Sequence, residues 1–322
     1  MAKWINEEAL DVLANYYYPR AMWLQQNCNW GQNSYTGPVA DAEINDPLMQ
    51  NIEIYDCFSR DAAGFSNVLQ DLWFKHSTPK WHHQDRQRHE LIWGYDTSNW
   101  QLSMWLWVFM AHRITGSGAS FQEDHGYRNN IVQYFGKCDN IWQMVDMMRA
   151  WKAEKKSMFT SIGNQPPAPR KGTSNMDFLI HEAPMLCLKL SHMIDHKDGL
   201  NTHKEVVDYL NEYNLSKGHR RFNFAYAALS MDISDYFPEF IDPKSHTYLG
   251  NNAKRCLKLM FKGYKDDEMM DIVTDRMGGL HKDNEDVLCD FVRFGQNYDP
   301  WERGIYYNNS GWNSGWEDRS GK

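Results

Sequence analysis

The stretch Asn99–Ile114, NWQLSMWLWVFMAHRI, is apolar on nearly every side of a helix. Such a helix has no face fit for water, so other elements must enclose it. Its longest unbroken apolar run, Met104 to Ala111, is eight residues, far short of the about 20 that a bilayer requires. The segment therefore predicts a buried central helix rather than a membrane span. The chain has the material to surround it. Fourteen Trp, 17 Tyr and 15 Phe occur in 322 residues, enough bulk for a sizeable core.

Helical periodicity recurs on both sides of this segment. Apolar residues Leu10, Val12, Leu13, Tyr16 and Tyr17 predict a helix over 7–18, which Pro19 limits or kinks. Asp46-Pro47 reads as a helix start, with Pro at the first helical position. Gly116-Ser117-Gly118 closes the central helix. Further helices are expected at 140–155, 178–192, 204–214, 223–230, 252–262, 266–277 and 284–294. Alternating, strand-like patterns are scarce. The expected fold class is all-α, a multi-helix globular fold in one large domain over 1–307. Pro166, Pro167 and Pro169 make 163–174 the best place to divide it into two lobes. The Gly/Ser/Asn-rich stretch 308–322 reads as a flexible tail.

Several function classes are disfavoured at once. No GxGxxG follows a strand and no GxxxxGK[ST] is present; Lys171-Gly172-Thr173-Ser174 lacks the upstream glycine of a phosphate loop. The six cysteines are widely spaced with no CxxC pair, so they read as buried thiols rather than zinc ligands. Trp81 to Glu90 holds His82, His83 and His89 but no HExxH order, and reads as a solvated polar segment; no metal site is expected. Charges at the N-terminus leave no apolar secretory core, so a cytoplasmic location without membrane contact is expected. Formal net charge is −8, which argues against a purely electrostatic nucleic-acid binder but leaves room for a local basic groove.

Three constellations carry candidate chemistry. Lys217, Arg220 and Arg221 cluster with His219 beside Phe222 and Phe224, a mix that suits a phosphate backbone and a stacked base; the same cations also suit a helix C-terminus. Gly250-Asn251-Asn252 reads as a turn tolerant of positive φ, leading into a helix that begins with Lys254 and Arg255 and continues to Lys258. Cations in a first helical turn oppose the dipole unless an anion is near. Glu285 to Phe294 predicts an amphipathic helix offering Glu285 and Asp290 as acids and Arg293 as a cation. Read one way it is a helix with ordinary i, i+4 pairs; read another it supplies a general base or magnesium ligands.

Taken in order, several pieces resemble a bacteriophage thymine-hypermodification family that includes the amino acid:DNA transferases. That family is related to the helical domain of 5-hydroxymethyluracil DNA kinases. Its pattern runs from Trp-Thr-x-Asp-Pro-Ile-Leu through Phe-Thr-Asn-Val-Tyr-Arg to Asp-Arg. Asn45-Asp46-Pro47-Leu48, Glu53-Ile54-Tyr55 and Ser59-Arg60 are similar, with Asp56 where the family has Arg and Ser59 where it has Asp. Gly250-Asn251-Asn252-Ala253-Lys254-Arg255 resembles its Gly-Pro-Gly-Ala-Lys/Arg-Arg motif, with Asn251-Asn252 replacing Pro-Gly. Glu285 and Leu288-Cys289-Asp290-Phe291 resemble its closing motif.

The resemblance implies an all-α enzyme, a group transferase active in the host cytoplasm on double-stranded phage DNA that carries a modified uracil. Its reaction joins an amino acid or polyamine to the exocyclic carbon of pyrophosphorylated 5-hydroxymethyluracil and releases pyrophosphate. The base must leave the stack, cations or Mg²⁺ must stabilise the leaving group, and a carboxylate must hold the amine deprotonated. Arg60, Arg255, Glu285 and Asp290 are the implied catalytic residues, expected to converge on one pocket. Tyr55, Asn252, Lys254, Lys258 and Arg293 are implied to contact base or phosphate, with the Lys217–Arg221 cluster nearby. The Gly250 turn also resembles the helix-hairpin-helix with which glycosylases grip DNA, an analogy of fold alone. Two other classes stand beside the transferase: a noncatalytic DNA-binding module accessory to a base-modifying kinase, and a base-excision enzyme.

Overall fold

The computed structural model describes residues 2–19, 29–30, 38–39, 99–114, 138, 140–154, 166–196 and 198–293. Helix accounts for 69% of them, and strand is limited to short antiparallel pairs, Trp4–Ile5 (β1) with Phe261–Lys262 (β4) and Asn29–Trp30 (β2) with Pro38–Val39 (β3). The all-α expectation holds. In chain order the helices are α1 (Glu7–Asp11, continued as a π-helix over Val12–Tyr17), α2 (Asn99–Ile114), α3 (Ile141–Ala153), α4 (Asn175–His181) and α5 (Ala183–Ile194). They continue as α6 (His203–Ser216), α7 (Asn223–Tyr236), α8 (Asn251–Met260), α9 (Asp266–Met277) and α10 (His281–Arg293). Among these residues no helix is long and apolar enough to cross a membrane.

The chain forms two compact units, residues 1–67 with 249–322 and residues 68–248. The 163–174 stretch is not the dividing point. Its described part lies inside the second unit, fastened there by Asn175 Nδ2 on the Pro166 carbonyl at 2.9 Å and by the Arg220 N–H on the Pro169 carbonyl at 2.7 Å.

In the second unit α2 is enclosed as its composition demands. Every residue from Leu102 to Ile114 is buried, and α2 packs on α3, α5 and α7. Trp107 meets the polar requirement of a buried indole by donating Nε1–H to the Leu179 carbonyl at 3.0 Å. Arg113 reaches Asp232 of α7 through two bonds, Nε–Oδ2 at 2.6 Å and Nη2–Oδ1 at 2.5 Å, with both side chains buried. The single helix expected over 178–192 is two helices. Pro184 has no N–H to give the turn before it and its ring crowds the carbonyl four residues back, so α4 stops and α5 restarts across Glu182.

In the first unit α8 lies on α10, with α1 and α9 completing the core. Ala253, Cys256, Leu257 and Met260 face inward at helical spacing, against Leu10, Leu13, Leu288 and Phe291. Tyr17 sits tilted on Phe291 with centroids 5.0 Å apart.

Candidate functional site

In the second unit, α6 ends in a basic turn whose shape its own asparagines set. Gly218 adopts φ 71°, and the His219 N–H returns to the Asn214 carbonyl at 2.8 Å, a glycine-capped end of the usual kind. Asn214 Nδ2 donates to the Arg220 carbonyl at 3.0 Å while its Oδ1 accepts the Tyr226 hydroxyl at 2.9 Å. Asn211 Oδ1 accepts the Phe222 N–H at 2.9 Å. Two buried amides thus hold residues 219–222 in place.

The Pro169–Arg220 backbone bond brings the proline-rich segment alongside. Its next residues form a tight turn: the Thr173 N–H donates to the Arg170 carbonyl at 3.1 Å, with Gly172 at φ 82°. Arg170 Nε donates to Thr173 Oγ1 at 3.0 Å and Nη1 to the Lys217 carbonyl at 3.3 Å. An open cleft of about 570 Å³ results, lined by Arg170, Lys171, Thr173, Ser174, Asp177 and Arg220 among others. Asp177 is the carboxylate on its wall. Contact with Lys152, then bonds from Ser174, hold its carboxyl down at about 2. Neither Lys171 nor Arg220 has a carboxylate partner among the described residues. Cations from two chain segments therefore face one cavity with their charge largely uncancelled, an arrangement that favours a phosphate.

Of the sequence candidates here, Arg220 lines the cleft and Lys217 supplies the carbonyl that Arg170 binds. The Lys217 ammonium lies 5.8 Å from the Tyr213 ring centroid. Arg221 is exposed, and its charge acts on Tyr248, whose hydroxyl donates to Asp208 at 2.6 Å and is pushed up to about 12 chiefly by that bond. Sequence reasoning missed Arg170 and Lys171. The signal was the run Pro166-Pro167-Ala168-Pro169 that delivers them, read only as a boundary. Setting aside a phosphate loop at Lys171–Ser174 agrees with the geometry. Ser174 caps α4, and its own N–H donates to Asp177 Oδ2 at 3.2 Å.

In the first unit, Gly250 is the N-cap of α8 with φ −67° and ψ 167°, and Asn251 and Asn252 already belong to the helix. The expected positive-φ turn is an extended one, because the helix starts a residue earlier than the motif suggested. Residues 242–250 hold no helix, so no helix leads directly into the turn as in a helix-hairpin-helix. Lys254 meets Asp266 at 3.4 Å, so the cation that opposes the dipole has an anion from the first turn of α9. Arg255 is half-buried and engaged, and Lys258 is exposed in the last turn, where the dipole favours it.

Glu285 is buried, 3% exposed, and its Oε1 accepts the Gly250 N–H at 2.8 Å. Two sequence motifs 35 residues apart therefore meet, through a structural bond. Tyr55 and Arg60 lie outside the described residues, as do the His82–His89 histidines, the 308–322 tail and the side chains of Asp290 and Arg293. Comparison with protein-family models, curated proteins and solved structures finds no match.

Proposed function

We propose that this protein grips a nucleic-acid backbone in the Arg170–Lys171–Arg220 cleft. The observation that carries this reading is the convergence of those three cations, from two segments joined by the Pro169–Arg220 main-chain bond, on one open cavity. Fixed cations with little local cancellation suit phosphate oxygens, and Arg adds bidentate geometry. The test is binding of short duplex DNA by fluorescence anisotropy. Neutralising Arg170, Lys171 and Arg220 together weakens binding uniformly across sequences; unchanged affinity removes the reading.

The more specific proposal, which the family resemblance supports, is a base-modification transferase acting on phage DNA in the host cytoplasm. The amine nitrogen attacks the exocyclic carbon of the pyrophosphorylated base, the carbon–oxygen bond breaks, pyrophosphate leaves, and the proton released from the amine passes to the departing pyrophosphate or to water. In this reading Glu285 holds the Gly250 turn and is a positioning residue, since its carboxylate already accepts a buried main-chain bond. That same bond favours the second reading, a noncatalytic DNA-binding module. Incubation with pyrophosphorylated phage DNA and an amine separates them. A transferase releases pyrophosphate, a base-excision enzyme releases free base, and a binding module releases neither.

A further inference from the structure

His219 stands between Gly218 and the cleft-lining Arg220, and its side chain is fully enclosed behind that residue's backbone. It packs edge-on against Phe178, centroids 5.7 Å apart at 84°. Neither ring nitrogen has a hydrogen-bond partner among the described residues. A neutral imidazole always carries one N–H, so the fold keeps a buried donor without a protein partner, an uncommon condition in native structures. Oε1 of Glu182 stands 3.9 Å from Nε2, just beyond bonding reach. Glu182 is there because Pro184 breaks the chain between α4 and α5. Its other oxygen, Oε2, accepts the Tyr213 hydroxyl at 3.3 Å. The charged groups acting on His219 are Glu182 from that break, Arg170 from the proline-rich segment and Lys217 from the end of α6.

We propose that His219 is a proton-linked latch on the basic cleft: on taking up a proton it closes onto Glu182 and adds positive charge behind Arg170 and Arg220, so that a phosphate backbone and a proton bind cooperatively. The proposal rests on the reading of the cleft as a backbone site. Three features carry it. The charged imidazole has one carboxylate within a small movement, and the neutral one has no partner. The next residue in the chain, Arg220, lines the cavity, so closure is felt there directly. Burial, with Arg170 and Lys217, disfavours the imidazolium while Glu182 favours it. An anion that neutralises those two cations lifts part of the penalty. Coupling of this kind is reciprocal, so the anion raises the proton affinity by the factor the proton raises the anion affinity.

The experiment is an NMR titration of the histidine rings of the full chain, alone and saturated with short duplex DNA, with His219→Gln assigning the signal. DNA affinity is measured in parallel at about pH 5.5 and about pH 7.5. The expected result is that DNA raises the His219 midpoint and that affinity is roughly three- to ten-fold higher at the lower pH, with the two factors equal. His219→Gln abolishes its share of that pH dependence. Glu182→Gln keeps the shape, lowers the His219 midpoint and shrinks the coupling, and carries the test if His219→Gln does not fold. A midpoint that DNA leaves in place, or a pH dependence that survives unchanged in both variants, overturns the latch while the cleft stands. Absence of DNA binding at either pH overturns the cleft and the latch together.

Discussion

Asp177 and Glu285 show how one functional group, the carboxylate, serves opposite surroundings. Asp177 is partly exposed, paired with Lys152 and bonded by the cap residue Ser174, and its carboxyl is held at about 2. An acid depressed in the folded state stabilises the protein above its unfolded value, near 4, and loses that contribution as pH falls through the folded one. Asp177→Asn is expected to cost about 1 kcal/mol at neutral pH and to flatten the stability profile between about pH 4 and pH 2, read by urea denaturation at each pH. Glu285 is buried on a main-chain donor. Glu285→Gln retains an acceptor oxygen and should stay near wild-type stability, whereas Glu285→Ala strands the Gly250 N–H and is expected to cost about 1–3 kcal/mol. If Glu285→Gln lowers pyrophosphate release while stability and DNA affinity hold, the residue is a catalytic base after all and the positioning role is lost.

At the scale of elements, the α2–α7 contact holds a buried ion pair. Arg113 and Asp232 are both buried and joined by two bonds. Removing one partner leaves an uncompensated buried charge, and Asp232→Ala is expected to destabilise by about 3–5 kcal/mol, measured by chemical denaturation. Replacing both with apolar residues of similar volume should recover much of that loss. The α2 helix itself was legible in the sequence, since an all-round apolar segment has one physical outcome. So were α3, α6, α9 and α10, whose apolar residues recur at helical spacing. The split between α4 and α5 was equally written there, in Pro184, but apolar periodicity running through 178–192 hid it. The cleft was half legible. Lys217–Arg221 is a visible cluster, yet Arg170 and Lys171 join it through the Pro169–Arg220 main-chain bond, and main-chain bonds leave no mark in side-chain pattern. The meeting of Glu285 with Gly250 was foreshadowed by order of motifs, but its chemistry, a carboxylate on a backbone donor, depends on burial that spacing alone does not give.

For the whole molecule, the proposed grip on a phosphate backbone has to be assigned to one of the two units. The chain is acidic, −8 in formal charge, so its overall field opposes DNA and attraction must come from a local concentration of cations. Each unit offers one such group. Those of the second unit, Arg170, Lys171 and Arg220, share one cavity whose carboxylate, Asp177, is occupied by Lys152. Those of the first, Lys254, Arg255 and Lys258, lie along the outward side of α8, where Asp266 already engages Lys254 and Arg255 is half-buried. Counterion release turns this difference into a slope: each phosphate contact contributes about 0.9 to the fall of log affinity with log salt. Neutralising the second unit's three cations is therefore expected to flatten the slope by about 2–3, and neutralising the α8 three by no more than about 1. Anisotropy titrations of duplex DNA at several salt concentrations measure both. The reverse ranking would move the backbone contact to α8 and leave the cleft of the second unit without a nucleic-acid role.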